Sequence, residues 1–256
     1  WFPVRKQIFK LEDEVSLVSV WGRSEESSRK LGEYLGVPWF TDINRLINET
    51  APVLGIVSVA KDANGVVGLM VIEAGLHVLL ETPIAVDLTE ADAIISAASV
   101  GGLKIEVAEQ FHRRPNEQIK LKLIEAGIFG KVYSSFNDFA GHAYHGVSVL
   151  RAYLGFETRP LRVTGAVKQY DLAPHLSRLA RSFDSRTEMQ EHGIIEFEGD
   201  RLGIFHWTSV GYDSALRWWR SSRFLAEKGM GISIGDAVNQ QDTLTILAPG
   251  NEGRHE

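Results

Sequence analysis

Two short segments of this 256-residue chain combine residue types that could do chemistry. The first is Trp21-Gly22-Arg23-Ser24, directly after the apolar run Val15 to Val20. Arg23 offers a charge-assisted bond to a phosphate and Ser24 offers a second donor, while Glu25, the first acidic residue, already belongs to the following helix. The alternatives are a solvated turn for Arg23 and a plain helix cap for Ser24, and the cap is compatible with both readings. The second segment is His142-Ala143-Tyr144-His145. Histidines at this spacing permit a metal pair, but no acidic or cysteine ligand sits nearby in the sequence, so no metal is expected. A capping or surface role for His142 is the plainer option.

Composition narrows the partners. The chain has 27 basic and 33 acidic residues, a net charge of -6, which is too acidic for wrapping nucleic acid or an anionic membrane. Small molecules fit better. Without cysteine there is no disulfide framework, thiolate metal site or thiol nucleophile, and the cytoplasm is the expected compartment. The longest apolar stretch, Ala51 to Ala60, is about half the ~20 residues of a membrane span.

The elements that must position these groups follow from periodicity. Val15 to Val20 reads as a strand, and Ser24 caps a helix ending at Gly36, with Glu25 and Glu26 at its positive first turn. Thr41 or Asp42 caps a short helix through Ile43, Leu46 and Ile47, and Val53 to Val59 is a buried strand. A helix over Asp62 to Ala74 closes at Gly75, and His77 to Leu80 is the next strand. Thr89 caps a helix over Glu90 to Ser99, and Leu103 to Val107 is a strand. Alternation of this kind marks an α/β fold, a Rossmann-type doubly wound parallel sheet, over residues 1–108.

The pattern changes over residues 109–256. A helix from Asn116 to Ala126 carries Ile119, Leu123 and Ile124 on one face, and a strand begins near Lys131. Gly193 to Glu198 and Leu202 to Thr208, joined by Gly199-Asp200-Arg201, read as antiparallel hairpin strands with one wet face. An α+β domain with an open antiparallel sheet is expected. Trp218 and Trp219 alternate with Arg217 and Arg220, so one ring should face a packed surface and the other a helix or second subunit. Pro249 to Glu256 reads as a polar tail.

Several blocks carry a family likeness: Ala74-Gly75-Leu76-His77-Val78-Leu79-Leu80-Glu81-Thr82-Pro83, then Phe111-His112-Arg113-Arg114-Pro115, Ile124 to Gly130, and His145-Gly146-Val147-Ser148-Val149-Leu150 before Leu154-Gly155. In order and spacing, over roughly residues 15 to 230, the chain resembles the glucose-fructose oxidoreductase/inositol dehydrogenase (Gfo/Idh/MocA) family. The resemblance implies a dinucleotide-binding domain, then a domain whose open sheet lies beside the substrate and pairs subunits into a dimer or tetramer. It also implies a central first strand ending in a Gly-rich turn. This chain opens on Trp1 with what reads as the end of that loop and the first helix, so the native chain is expected to begin earlier.

Position by position, the likeness implies roles and losses. At the end of the second strand an acidic residue favours NAD and an arginine favours NADP, so Arg23 and Ser24 point to NADP, with NAD as the alternative. Glu81 and Pro83 fall beside the cofactor, although Glu81 can simply hold the strand-end backbone and Pro83 can serve the turn as a cis peptide. Thr82 replaces the family's catalytic lysine with a hydroxyl that brings no charge. The family's D-x-x-x-H-x-x-D becomes Gly141 to Ser148, so both carboxylates are gone and His145 remains. Imidazole titrates close to neutrality and can accept the proton of an alcohol losing hydride. Tyr144, His142, His112 and Arg113 lie in or beside the cleft-lining blocks and offer polar groups to a sugar or polyol. For Arg113 a salt bridge at the domain junction is an equal alternative. The expected function is an NAD(P)-dependent oxidoreductase of a sugar, polyol or related carbonyl with an altered catalytic set. A dinucleotide- or sugar-binding regulator without catalysis, and a lyase or glycoside-cleaving enzyme with His145 and Tyr144 as its catalytic groups, are the competing readings.

Overall fold

In a computed structural model of the chain, the residues described are 14–139, 141–177, 179–214, 219–236 and 243–250. The expected first helix before Leu11, Trp218 and the last six residues lie outside them. The chain divides into two compact units, one ending at Ala108 and the other beginning at Glu109.

The N-terminal unit is parallel α/β. Strand β1 (Val20–Trp21) pairs in parallel with β2 (Trp39–Phe40), and β3 (Leu54–Val57), β4 (His77–Leu80) and β5 (Ile105–Val107) form a second parallel ladder in the order β3-β4-β5. The first strand is shorter than its apolar run predicts. A ladder needs a partner, and only Val20 and Trp21 face one, while residues 14–19 help line an apolar cavity of about 510 Å³ with Pro52 to Val59. Helices α1 (Glu25–Leu35), α2 (Ile43–Thr50), α3 (Lys61–Glu73) and α4 (Leu88–Gly101) connect the strands. Ser24 caps α1 and Asp42 caps α2 through their side-chain oxygens. Asp87, not Thr89, caps α4, because its carboxylate reaches the Glu90 amide at 2.9 Å and the helix starts earlier than expected. Val57, Val67, Val71, Ile72, Val78, Leu80 and Ile94 form the core.

The C-terminal unit is built on a seven-stranded sheet. In chain order its elements are a 3-10 turn (Phe111–Arg113), α5 (Pro115–Glu125), β6 (Val132–Phe139), α6 (Ala143–Leu154), β7 (Pro160–Leu176), β8 (Phe183–Phe197), β9 (Arg201–Thr208), α7 (Ser209–Tyr212), β10 (Trp219–Ala226), β11 (Gly229–Asp236) and β12 (Thr243–Leu247). The spatial order is β12-β11-β10-β6-β9-β8-β7, antiparallel except for β6 with β9. One face packs Phe197, Phe205, Phe224 and Ala226 onto Val149, Leu150, Tyr153 and Leu154 of α6. Strand alternation places Ile194, Leu202, Ile204 and Ile234 on the opposite face, and of these Ile194, Leu202 and Ile234 are exposed. The helix α6 lies close on the sheet because β9 presents Gly203, where a Cβ would come 2.4 Å from Leu150 Cδ2. Leu150 is fully buried and has nowhere to retreat, so Gly203→Ala should lower stability by about 1–3 kcal/mol, read as a lower urea midpoint.

Of the expected apolar face of α5, Leu123 and Ile124 pack against the core but Ile119 does not. Ile119 is 45% exposed, whereas Glu117 and Lys120 have no exposed surface. Lys120 Nζ lies 3.1 Å and Arg220 Nε 3.4 Å from the Glu117 carboxylate, Ser222 donates to it at 2.8 Å, and the Tyr153 hydroxyl also donates to it. Arg220 of β10, next to Trp219, is therefore fully buried.

Candidate active site

Within the N-terminal unit the turn after β1 is fixed from both sides. Gly22 N–H donates to Phe40 O at 3.1 Å and the Trp21 indole donates to Thr41 O at 3.2 Å. A Cβ at Gly22 would meet Ser28 Oγ at 2.6 Å, so the turn hugs the start of α1. Arg23 and Ser24 are exposed there, and Ser24 Oγ lies 2.9 Å from Ser27 Oγ. A guanidinium and two hydroxyls beside a helix start make a donor set that fits the phosphate of a ribose. No G-x-G-x-x-G motif, which would cradle a pyrophosphate, occurs in the 256 residues.

The Glu81-Thr82-Pro83 turn lies at the end of β4, with a cis peptide before Pro83. Glu81 Oε2 accepts the Thr82 N–H at 2.8 Å, and Thr82 Oγ1 is 3.4 Å from the same oxygen. The carboxylate thus holds the strand-end backbone. Buried Asn64 of α3 donates to Glu81 O at 2.6 Å and Pro83 O at 2.7 Å, closing the turn from below. Sequence reading passed over this asparagine, because an amide inside a helix carries no local mark of the remote carbonyls it serves.

Within the C-terminal unit the first turn of α6 gathers the aromatic residues. His145 is 4% exposed, and its Nδ1 lies 2.6 Å from Oε2 of Glu109, itself 15% exposed. The other carboxylate oxygen accepts the Phe111 N–H at 3.1 Å. Phe111 and Tyr144 pack on the imidazole with ring centroids 4.4 and 4.6 Å away. His142 stacks on Tyr144 at 5.3 Å and 6°, and its Nε2 is 3.3 Å from the Tyr212 hydroxyl. Trp207, donating to Gly141 O at 2.6 Å, flanks Tyr212. The structure therefore brings together His142, Tyr144 and His145, and adds Glu109 and Tyr212, which sequence reading missed. An acidic residue two positions beyond β5 was the available signal for Glu109, since the carboxyl ends of parallel strands carry functional groups.

His112 and Arg113 are placed differently. The His112 ring meets Phe156 edge-on at 5.3 Å, its Nδ1 is 3.5 Å from Ser148 Oγ, and it lines a cavity of about 520 Å³ with Gln118, Tyr153 and Arg201. None of His142, Tyr144 and His145 lines that cavity. Arg113 is exposed on the 3-10 turn. Among the described residues no group of three His, Cys, Asp or Glu side chains could hold a metal ion, and no helix is long and apolar enough to cross a membrane.

Comparison with known proteins agrees with this architecture. Residues 5–109 match the family model described as "Oxidoreductase family, NAD-binding Rossmann fold". No curated protein matches the chain. Among solved structures, the WlbA dehydrogenase from Bordetella pertussis, in complex with NADH and UDP-GlcNAcA, is 19% identical with a TM-score of 0.72, covering 98% of this chain and 80% of that one. The aldose-aldose oxidoreductase from Caulobacter crescentus, complexed with glycerol, is 15% identical with a TM-score of 0.69, covering 100% of this chain and 80% of that one. An NAD binding oxidoreductase from Klebsiella pneumoniae is 15% identical with a TM-score of 0.72, covering 96% and 76%. At these identities the likeness establishes the fold, a Rossmann-like parallel unit followed by a larger, mostly antiparallel sheet. Residues 5–109 are thus similar to the Gfo/Idh/MocA oxidoreductase family, and the chain as a whole shares the fold of these solved oxidoreductases.

Proposed function

We infer that this protein is an NADP-preferring oxidoreductase that interconverts an alcohol and a carbonyl on a sugar or polyol, with His145 exchanging the proton. The observation that carries this reading is the buried His145 held by Glu109 inside a cluster of rings. Oxidation of an alcohol releases a hydride and a proton, and a nicotinamide supplies the hydride chemistry when bound. His145 takes the proton from the substrate hydroxyl and returns it in the reverse direction. Tyr144, His142 and Tyr212 present flat faces with polar edges, which suit a sugar ring carrying hydroxyls. The sugar nucleotide in the Bordetella pertussis complex and the glycerol in the Caulobacter crescentus complex support this substrate class. Glu81, Thr82 and Pro83 form the cofactor-side turn, and Arg23 with Ser24 binds the 2'-phosphate. A homo-oligomer, dimer or tetramer, belongs to the same reading and is supported by the apolar open sheet face. So does a cytoplasmic setting.

The deciding assay follows reduced-nicotinamide absorbance with NAD or NADP against a panel of sugars, polyols and sugar nucleotides. Turnover with at least one is expected, and none with any of them would overturn the reading. The Thr82 hydroxyl where the family pattern has a lysine favours one second reading, a dinucleotide- or sugar-binding protein without turnover. Tight cofactor binding in the absence of turnover would establish it. For the cofactor, Arg23→Ala should weaken NADP by about 1.5–3 kcal/mol and leave NAD nearly unchanged, as for a lost charged hydrogen bond. Calorimetry reads this directly. Equal losses for both dinucleotides would make Arg23 a turn residue.

A further inference from the structure

The family pattern surrounds its histidine with carboxylates from the same segment, and here Gly141 and Ser148 occupy those places. The structure supplies a carboxylate from elsewhere. Glu109 lies 36 residues before His145, yet its Oε2 is 2.6 Å from Nδ1, and its Oε1 is tied to the Phe111 amide at 3.1 Å. A carboxylate anchored by one oxygen to backbone has little freedom to swing away. The Phe111 ring, held in the same turn, packs on the imidazole at 4.4 Å, so the segment that aims the carboxylate also sets the ring's tilt. Both groups are largely removed from water, where such a bond is strongest.

We propose that Glu109 is the positioning residue of the site, fixing neutral His145 as the Nδ1–H tautomer so that Nε2 is the basic nitrogen presented to substrate. An ionised carboxylate only accepts hydrogen bonds, so at 2.6 Å the ring nitrogen facing it must carry the proton. The remaining lone pair is then on Nε2, and the second proton that His145 takes from an alcohol lands there. The resulting imidazolium keeps Glu109 as its counter-charge, which answers the loss of both family carboxylates. The role in turnover rests on His145 as the proton acceptor inferred above, whereas the tautomer stands on geometry alone.

The test separates the two. In protein labelled with ¹⁵N-histidine, long-range proton–nitrogen correlation spectra report which ring nitrogen is protonated, and His145→Asn identifies the His145 signals. The parent should show His145 as Nδ1–H, and Glu109→Ala should shift it toward a mixture with Nε2–H. In turnover, Glu109→Ala should lower kcat by roughly 10²–10⁴-fold with little change in KM, the upper end being the loss known for a triad histidine in the wrong tautomer. If Glu109→Ala does not fold, Glu109→Gln has the same size, and its amide both donates and accepts, so the same mixture is expected. An Nε2–H tautomer in the parent, or an unchanged Nδ1–H tautomer in the variants, overturns the proposal. A switched tautomer with parental kcat also overturns the positioning role. If the parent oxidises no sugar at all, the functional reading fails while the spectra still decide the tautomer.

Discussion

His145→Asn should cut sugar oxidation by ~10² to 10⁴-fold, the contribution of a single general base, while dinucleotide affinity and melting temperature stay near the parent's. The choice of asparagine follows from the geometry. Its amide NH₂ reaches the place of Nδ1 and can still donate to Glu109, which sits 2.6 Å from that nitrogen. What the substitution removes is Nε2. Steady-state kinetics beside a thermal melt therefore isolate proton exchange from packing. A variant that oxidises sugars at the parental rate would show His145 to be a packing residue.

The largest stability effect is expected at Glu117. Its carboxylate faces two cations, Lys120 at 3.1 Å and Arg220 at 3.4 Å, and none of the three side chains has exposed surface. Removing the anion leaves both positive charges buried without it, together with the hydroxyls of Ser222 and Tyr153 that donate to it. Breaking a buried pair in this way typically destabilises by about 3–5 kcal/mol, more than the pair itself contributes. Glu117→Gln, which keeps the shape, should thus lose several kcal/mol in urea unfolding of the C-terminal unit. By contrast Ile119→Gln, one turn-face away and 45% exposed, should be nearly silent. If Glu117→Gln unfolds at the parental midpoint, the network is neutral at that site or relaxes to admit water.

Much of the N-terminal unit was legible because its determinants are local. Ser24, Asp42 and Gly36 act on backbone groups within a few residues, and the apolar runs around Leu54–Val57 and His77–Leu80 report strands, although the first is not the buried strand expected, since Val53, Leu54 and Val59 are exposed. The hairpin of β8 and β9 was also legible, since Gly199-Asp200 set its turn and alternation set its faces. Less was legible where an element's fate depends on a distant partner. Val15 to Ser19 is as strand-like as Val20, yet the ladder covers only Val20 and Trp21.

The sequence by itself determined the fold class, the change from parallel to antiparallel grammar and the helix caps Ser24 and Asp42. Tertiary structure alone decided which charges meet. Glu109 reaches His145 across 36 residues, and Arg220 reaches Glu117 across 103, because a charged side chain leaves water only where another part of the chain offers an opposite charge and donors to replace it. No property of Glu117 or Lys120 read alone distinguishes them from the solvated acids and bases elsewhere in the chain, since burial of a charge is a property of its neighbours.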